Sequence, residues 1–522
     1  MKTLILILLI TISSICLSNN IALHNIAING QNTASDYTMI QFDITWDNSW
    51  RTSTYESNWD AAWVFAKWRK QGQTTWNHAT LNTSGHTAPS GATIDTPTDD
   101  KGVFMYRSAN GIGTNTWNNV KLRWNYGVDG VADNDLVEVK LYAIEMVYIP
   151  QNAFYVGDGS IGASVLGQFE SWNTSVPFQV TSESAPSVLG GGGIGSMGNN
   201  NRSGMDISGL DDFNDTTSQT LPAAFPKGYN AFYIMKYETT QEQYVEFLNT
   251  LTYIQQARRT QSSPSAVGGT KAFNAGYRNG IAIKISGIST SQSAIYGCDL
   301  NANGTFNETD DGQNVACNWM HFADCEAYMD WAGLRPITEL EYEKSCRGTV
   351  VPVIGEYAWG NTTITSAVAT GCTSAGTSLE IPSSGSNCAY AGTYTVGFGP
   401  LRVGSFAQSA TNRQQSGGSY YGVMDLTGNV REMVITVGNA TGRAFTGING
   451  DGAIAANGEA NVTNWPSGFI ADFSNAVGAG YRGNDWGDPS STYMTVSGRN
   501  GAAYNYKWRD PDYGFRGGRT AQ

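Results

Sequence analysis

The sequence predicts a β-rich, loop-rich chain in two parts. A small all-β, sandwich-like unit occupies residues 19–145, and a long region of short strands, loops and a few helices occupies 146–522. Three observations predict it. Only 14% of the 522 residues are charged, against about 25% in an average soluble domain. The chain holds 61 Gly, 15 Trp and 26 Tyr. Eight of the tryptophans, from Trp46 to Trp124, fall in one cysteine-free block. The glycines follow no three-residue period and prolines number only 15, which excludes collagen. Apolar residues at 40% exclude disorder, which needs low hydrophobicity and high net charge. Low charge argues equally against helical bundles and coiled coils.

The elements follow in chain order. Residues 1–18 read as a secretory signal: basic Lys2, an apolar run from Leu4 to Ile12, then Cys16 and Ser18 at the −3 and −1 positions for cleavage before Asn19. The alternative is an uncleaved anchor, but the run is short for a span, and nothing later approaches the length of about 20 a membrane helix needs. Ile15 before Cys16 disfavours a lipoprotein signal. The expected location is secreted, periplasmic or cell-surface, with no integral membrane span. Loss of Lys2 takes the net charge from −13 to −14. Such a chain repels nucleic acid and anionic lipid, whose binding needs basic patches, and is compatible with calcium.

Segments Tyr37–Trp46, Ala61–Trp68, Asn119–Trp124 and Leu136–Ile144 are short, partly alternating and rich in β-branched and aromatic residues. Gly, Asn, Asp and Ser clusters separate them, as in an antiparallel sandwich. The tryptophans are read as core and sheet-face residues, with a glycan groove as the alternative. Residues 182–220 are loop-like, with low-complexity Gly190–Gly193 and Asn199–Asn201 runs and no phosphate-loop pattern. Thr239–Leu251 places Tyr244, Phe247, Leu248 and Leu251 at helical spacing. Phe322–Ala332 is a second helix. Thr338 and Glu341 form a capping box, so a short helix starts after Thr338 and ends near Cys346. The remainder is glycine-punctuated strand and loop.

Six cysteines follow residue 18: Cys298, Cys317, Cys325, Cys346, Cys372 and Cys388. An even count in an exported chain suggests disulfides of open connectivity; proximity favours Cys298–Cys317, Cys325–Cys346 and Cys372–Cys388. The absence of C-x-x-C and a total of four histidines exclude zinc fingers and zincins. Asp299, Asn301 and Asn303 stand at positions 1, 3 and 5 of a twelve-residue loop. Gly304 makes the turn at 6, Thr305 offers its carbonyl at 7 and Asp310 closes it at 12. Hard oxygen donors at these offsets wrap one calcium ion. Asp replaces the usual Glu at 12, as in dockerin-type loops; the alternative is a polar, metal-free insertion.

Residues 146–522 resemble the sulfatase-modifying-factor family, which includes the formylglycine-generating enzymes. The resemblance rests on Tyr148-Ile149-Pro150 with Phe154-Tyr155-Val156-Gly157, on Tyr237-Glu238-Thr239-Thr240, and on Trp331-Ala332-Gly333 with Arg335. It continues through Thr338–Glu343 and Cys346-Arg347-Gly348, Tyr357–Asn361, Gly422–Glu432 and the closing Gly514-Phe515-Arg516-Gly517. It implies an α+β, C-type-lectin-like fold with little regular structure, held by loops, calcium and disulfides. It also implies a second structural calcium site on Gly428, Val430 and Glu432, although Arg431 and Met433 stand where the family carries aromatics. Its enzymes oxidise a peptide cysteine with copper(I) held by two cysteines shortly before the closing Gly-Phe-Arg. Here the last cysteine is Cys388, and Ser490, Ser491, Ser497 and Asn500 are not soft ligands. No copper and no catalytic residue are therefore expected. The three-histidine iron site of sulfoxide-forming relatives fails too, with His321 the only histidine after residue 86.

The functional expectation is an exported, non-catalytic, calcium-stabilised binding or structural surface protein with an unidentified protein or glycan ligand. Its ligand surface is placed on Arg482–Asp488 and Tyr504–Trp508, whose Tyr, Trp, Asn and Asp supply rigid contact and adaptable hydrogen bonds. The alternatives are an enzyme of altered chemistry in the same cleft, a retroelement-diversified lectin-fold receptor, and an appendage or adhesin subunit self-assembling through the N-terminal β unit.

Overall fold

The computed structural model describes residues 21–522 apart from 162–164, 201, 203–204, 206–210, 275, 396, 467–475 and 506–507. The signal assigned to 1–18 lies outside the described residues. The N-terminal region folds as strands β1 (Ala22–Asn32), β2 (Tyr37–Arg51), β3 (Asp60–Lys70), β4 (Asn77–His78), β5 (Ala92–Asp95), β6 (Val103–Arg107), β7 (Gly111–Trp124) and β8 (Val137–Ile149). β1, β2 and β7 make one antiparallel sheet. In β2 the alternate residues Ile40, Phe42, Ile44 and Trp46 point inward and are fully buried. They pack with Val120, Leu122 and Trp124 of β7 against Val64, Ala66 and Trp68 of β3 and Met105 of β6. This is the inner layer of a two-sheet sandwich.

The second sheet has seven strands. Its order runs from the closing strand Gly518–Thr520 through Phe232–Met235, β8, β3 and β6 to β5, with β4 beside β3. β8 pairs with β3 from Asp60↔Val147 to Lys70↔Val137, and on its other side pairs Met146 with Met235 and Ile149 with Phe232. The sheet is therefore continuous from the tryptophan-rich region into the rest of the chain. β3 is buried on both faces. Trp68 faces the sandwich core, while Trp63 and Phe65 face a larger core with Tyr244, Phe247, Tyr328 and Trp331. Five of the eight N-terminal tryptophans are buried: Trp46, Trp63, Trp68, Trp117 and Trp124.

Beyond β8 the fold is α+β and sparsely helical. The helices are α1 (Gln241–Leu248), α2 (Tyr253–Arg259), α3 (Phe322–Trp331) and α4 (Glu339–Arg347), plus short helical turns. All four begin with a reciprocal capping box: Thr240 with Gln243, Thr252 with Gln255, His321 with Asp324 and Thr338 with Glu341. Each box satisfies two of the backbone donors a helix start leaves free. α4 stops at Gly348, whose φ is 68° and where a Cβ would lie 2.1 Å from the Tyr420 ring. No helix among the described residues is long and apolar enough to cross a membrane.

The expected disulfides are corrected. All six cysteines are free thiols. Cys325 on α3 points into the main core, whereas Cys346 on α4 packs with Tyr342 and Val434 in another cluster. Cys372 sits against Ala367 and Leu401, while Cys388 sits with Tyr357 and Trp359. Cys298 and Cys317 share the main core but stay unbonded. Each serves as a small apolar filler, and burial pushes all six thiols up, away from the reactive thiolate.

Ordering in this loop-rich region comes from buried ion pairs. Arg499 joins Asp211 and Glu339; Arg482 joins Glu339 and Glu343; Arg347 joins Glu343 and Glu356. A guanidinium fork suits such carboxylate partners because it makes several directed hydrogen bonds at once.

Candidate functional site

The strand Arg431–Ile435 organises the first candidate. It pairs antiparallel with Ala479–Arg482 and parallel with Tyr513–Gly514, which sets Arg431 beside Tyr513. The Arg431 guanidinium donates to Asp485 at 2.7 Å and to Asn484 at 3.2 Å, and lies over the Tyr481 and Tyr513 rings at 4.8 and 5.5 Å. Asp512 lies 3.8 Å from the same guanidinium and accepts the Tyr394 hydroxyl at 2.8 Å. Trp486 packs on Tyr394 and Tyr277, with centroids 5.1 and 5.5 Å away, and its indole N–H donates to the Pro511 carbonyl.

Electrostatically this cluster is unbalanced. Asp485 and Asp512 oppose one guanidinium. Burial, followed by the charge of Asp485, pushes Asp512 up to about 8. Burial also raises Asp485. One Asp512 oxygen and the Asn484 amide nitrogen are buried without a hydrogen-bond partner. Unsatisfied buried polar atoms are uncommon in folded proteins. Here they lie beside Tyr394, which is 47% exposed. The arrangement supplies flat aromatic contact and directed hydrogen bonding.

Of the segment expected to form the ligand surface, Asn484, Asp485 and Trp486 enter the cluster. Tyr504 packs against Tyr481 at 6.0 Å and Trp508 is 57% exposed. Arg482 is instead buried beneath, on Glu339 and Glu343. Tyr506 and Lys507 lie outside the described residues. Tyr277, Tyr394 and Asp512 carry no signal in the sequence, because they arrive from loops far apart along the chain; Arg431 is marked there only by standing where the family carries an aromatic.

Copper does not fit these residues. No cysteine follows Cys388, whose buried thiol donates to the Thr427 carbonyl at 3.2 Å, and no cysteine pair among the described residues is bonded. Ser497 accepts from Arg347, and Ser490 bonds Thr492. A copper(I) site needs soft donors that are not there.

The Gly428–Glu432 turn lies behind the cluster. Gly428 has φ 78°, and a Cβ there would sit 2.5 Å from Ala389 O and the Cys388 sulfur. Its N–H donates to Gly483 O, and the Val430 N–H donates to Glu238. Glu432 is fully buried. One oxygen accepts from Arg516 at 2.8 Å, and the other has no partner. Burial pushes Glu432 up to about 7. Arg516, from the closing Gly-Phe-Arg, also donates to the carbonyls of Met235, Lys236 and Met424.

The 299–310 loop follows the hairpin Ile281–Ile285/Ile295–Cys298. Asn301 donates to Asp310 at 3.1 Å and Asn303 to Glu308 at 2.6 Å; the Thr305 N–H donates to Asn303. Carboxylate oxygens of Glu308, Asp310 and Asp311 lie within 4.8 Å of one another. Glu308 and Asp311 were not among the expected ligands, although the acidic run from Glu308 to Asp311 was legible.

The fold and these sites define a loop-built α+β domain that takes its order from buried carboxylate–guanidinium pairs and has lost the soft-ligand pair of a copper oxidase. Residues 177–521 match the sulfatase-modifying factor enzyme 1-like domain family, and the chain belongs to that family. No curated protein matches the chain.

Proposed function

We propose that this family member is an exported binding protein rather than an oxidase. Its ligand surface is the cluster around Tyr277, Tyr394, Arg431, Asp485, Trp486 and Asp512. The observation that carries this reading is an aromatic and carboxylate–guanidinium cluster with two unsatisfied buried polar atoms, in a chain with no cysteine after Cys388. A ligand rich in hydroxyl or amide groups, such as a glycan or a peptide, matches those atoms, since pairing them recovers the penalty of leaving them unmade. Calcium is proposed as a structural ion, with the 299–310 loop as the first site and Gly428, Val430 and Glu432 as the second. Binding to the native fold then adds directly to stability.

The test is binding of the mature chain to glycan and peptide arrays, with Asp512→Ala and Trp486→Ala as variants. Retained signal for the parent protein, weakened about tenfold or more in both variants, supports the reading, because truncating an anchor residue typically costs about 1–4 kcal/mol. Copper-dependent conversion of a cysteine peptide to an aldehyde by the purified chain would overturn it.

A further inference from the structure

We propose that the 299–311 loop binds one calcium ion through the carboxylates of Asp299, Glu308, Asp310 and Asp311, and that this ion fixes the position of Tyr277 in the ligand cluster. This rests on the binding-surface reading above and adds its regulation. Two buried, unpartnered oxygens point to an ion. One Asp299 carboxylate oxygen and one Asp311 carboxylate oxygen are buried without a hydrogen-bond partner, on residues 3% and 0% exposed. The second Asp311 oxygen accepts the Glu308 N–H at 2.8 Å, so its carboxylate is already oriented. Glu308, Asp310 and Asp311 bring oxygens within 4.8 Å of one another. Ligands on opposite sides of a calcium ion stand about 4.6–5.2 Å apart, at about 2.3–2.6 Å from the ion each. Lys271 donates to the Asp299 carbonyl and feels the charges of Asp299 and Asp311; one ammonium does not offset the loop's four carboxylates, and a divalent cation would. The loop tip is exposed and leaves a path of entry. The Asn301 and Asn303 amides now bridge Asp310 and Glu308; turned over, they present their oxygens to the same ion.

Two contact routes join this loop to Tyr277. In the first, the Asp299 N–H donates to Gly280 O at 2.9 Å, and a Cβ on Gly280 would lie 2.9 Å from Leu300 N and 3.0 Å from Asp311 O. In the second, the Gly312 N–H donates to Gly376 O, the Gly376 N–H donates to Glu380, and Glu380 pairs with Arg278. Between the routes, Tyr277 and Arg278 both hold positive φ, 52° and 61°. That conformation costs non-glycine residues about 1–2 kcal/mol each and persists only where the surroundings impose it.

The experiment is calorimetric titration of the chelated, mature protein with calcium chloride, together with hydrogen exchange of the segment 276–282. One site near 10⁻⁴ M, in the range of about 10⁻⁴–10⁻³ M for extracellular modules, is expected, with slower exchange at 276–282 when calcium is present. Asp311→Asn and Asp310→Asn each weaken binding about tenfold or more and abolish the protection, while melting in chelator no lower than the parent. No heat at millimolar calcium, or full affinity in both variants, overturns the ion site. Calcium binding without added protection at 276–282 overturns the coupling. A protein that shows the expected calcium behaviour but retains nothing on the arrays fails the binding-surface reading alone.

Discussion

At the scale of single residues, the chain uses charge where other domains use length of secondary structure. Arg516 is fully buried and donates to Glu432 and to three backbone carbonyls, and Arg516→Met strands Glu432. Breaking a buried pair from one side costs about 3–5 kcal/mol, and a denaturant midpoint shift of that size is the expected readout. The free thiols give a second expectation. In protein comprising residues 19–522, alkylation under denaturing, non-reducing conditions modifies all six cysteines. In the native state only half-exposed Cys372 reacts, and slowly, since burial pushes its thiol up to about 12. Recovery of any disulfide-linked peptide would contradict this. The pH dependence has two limbs. Burial lowers His321 to about 4, so its contribution is present above its ordinary value of about 6.5 and is lost as pH falls through about 4. Asp512 is raised to about 8, so its contribution is present below its ordinary value of about 3.9 and is lost as pH rises through about 8. The two opposing slopes cancel between about 4 and 6.5, so thermal midpoints should fall mainly between about pH 6.5 and 8, and Asp512→Asn should remove that fall.

At the scale of elements, short helices survive because their ends are satisfied. α4 has nine residues, too few to persist alone in water. Its Thr338–Glu341 box and the Arg335 fork on Glu341, at 2.6 and 2.9 Å, anchor its first turn. Thr338→Ala should cost about 1 kcal/mol, read as a lowered midpoint with unchanged helical content. Thr338→Ser, which keeps the hydroxyl, should recover most of it. Two local signals made α1 and α4 legible in the sequence: periodic apolar residues for α1, and a cap at the right offset for α4. α2 carried the equivalent signal, Thr252 with Gln255, but its exposed Ile254 and polar run offer little apolar periodicity.

At the scale of the whole molecule, β8 decides the architecture. It bonds β3 on one side and Phe232–Met235 on the other, and side chains cross the same line. The Trp63 indole N–H donates to Ala332 O at 2.8 Å, Lys67 reaches the carbonyls of Trp331 and Gly452, and Asn58 donates to Tyr421 O. Unfolding should therefore be one cooperative transition, with coincident fluorescence and circular-dichroism melts. A fragment beginning at residue 146 would lose β3 and most of β8, exposing a raw sheet edge and the Trp331 core, and should be insoluble. Two separated transitions would refute this.

The sequence by itself determined the tryptophan sandwich, helices α1, α3 and α4 with the Thr338 cap, the family and the lack of copper ligands. Each depends on local periodicity, motif spacing or simple presence of a residue type. Only the tertiary structure decided that the cysteines stay apart, that Arg482 is buried beneath while Arg431 lies among Tyr481, Tyr513 and Asp485, and that Tyr277 and Asp512 both meet Tyr394. Those outcomes depend on which loops come together in space. Because loops carry no periodic pattern, nothing in their order along the chain records their neighbours.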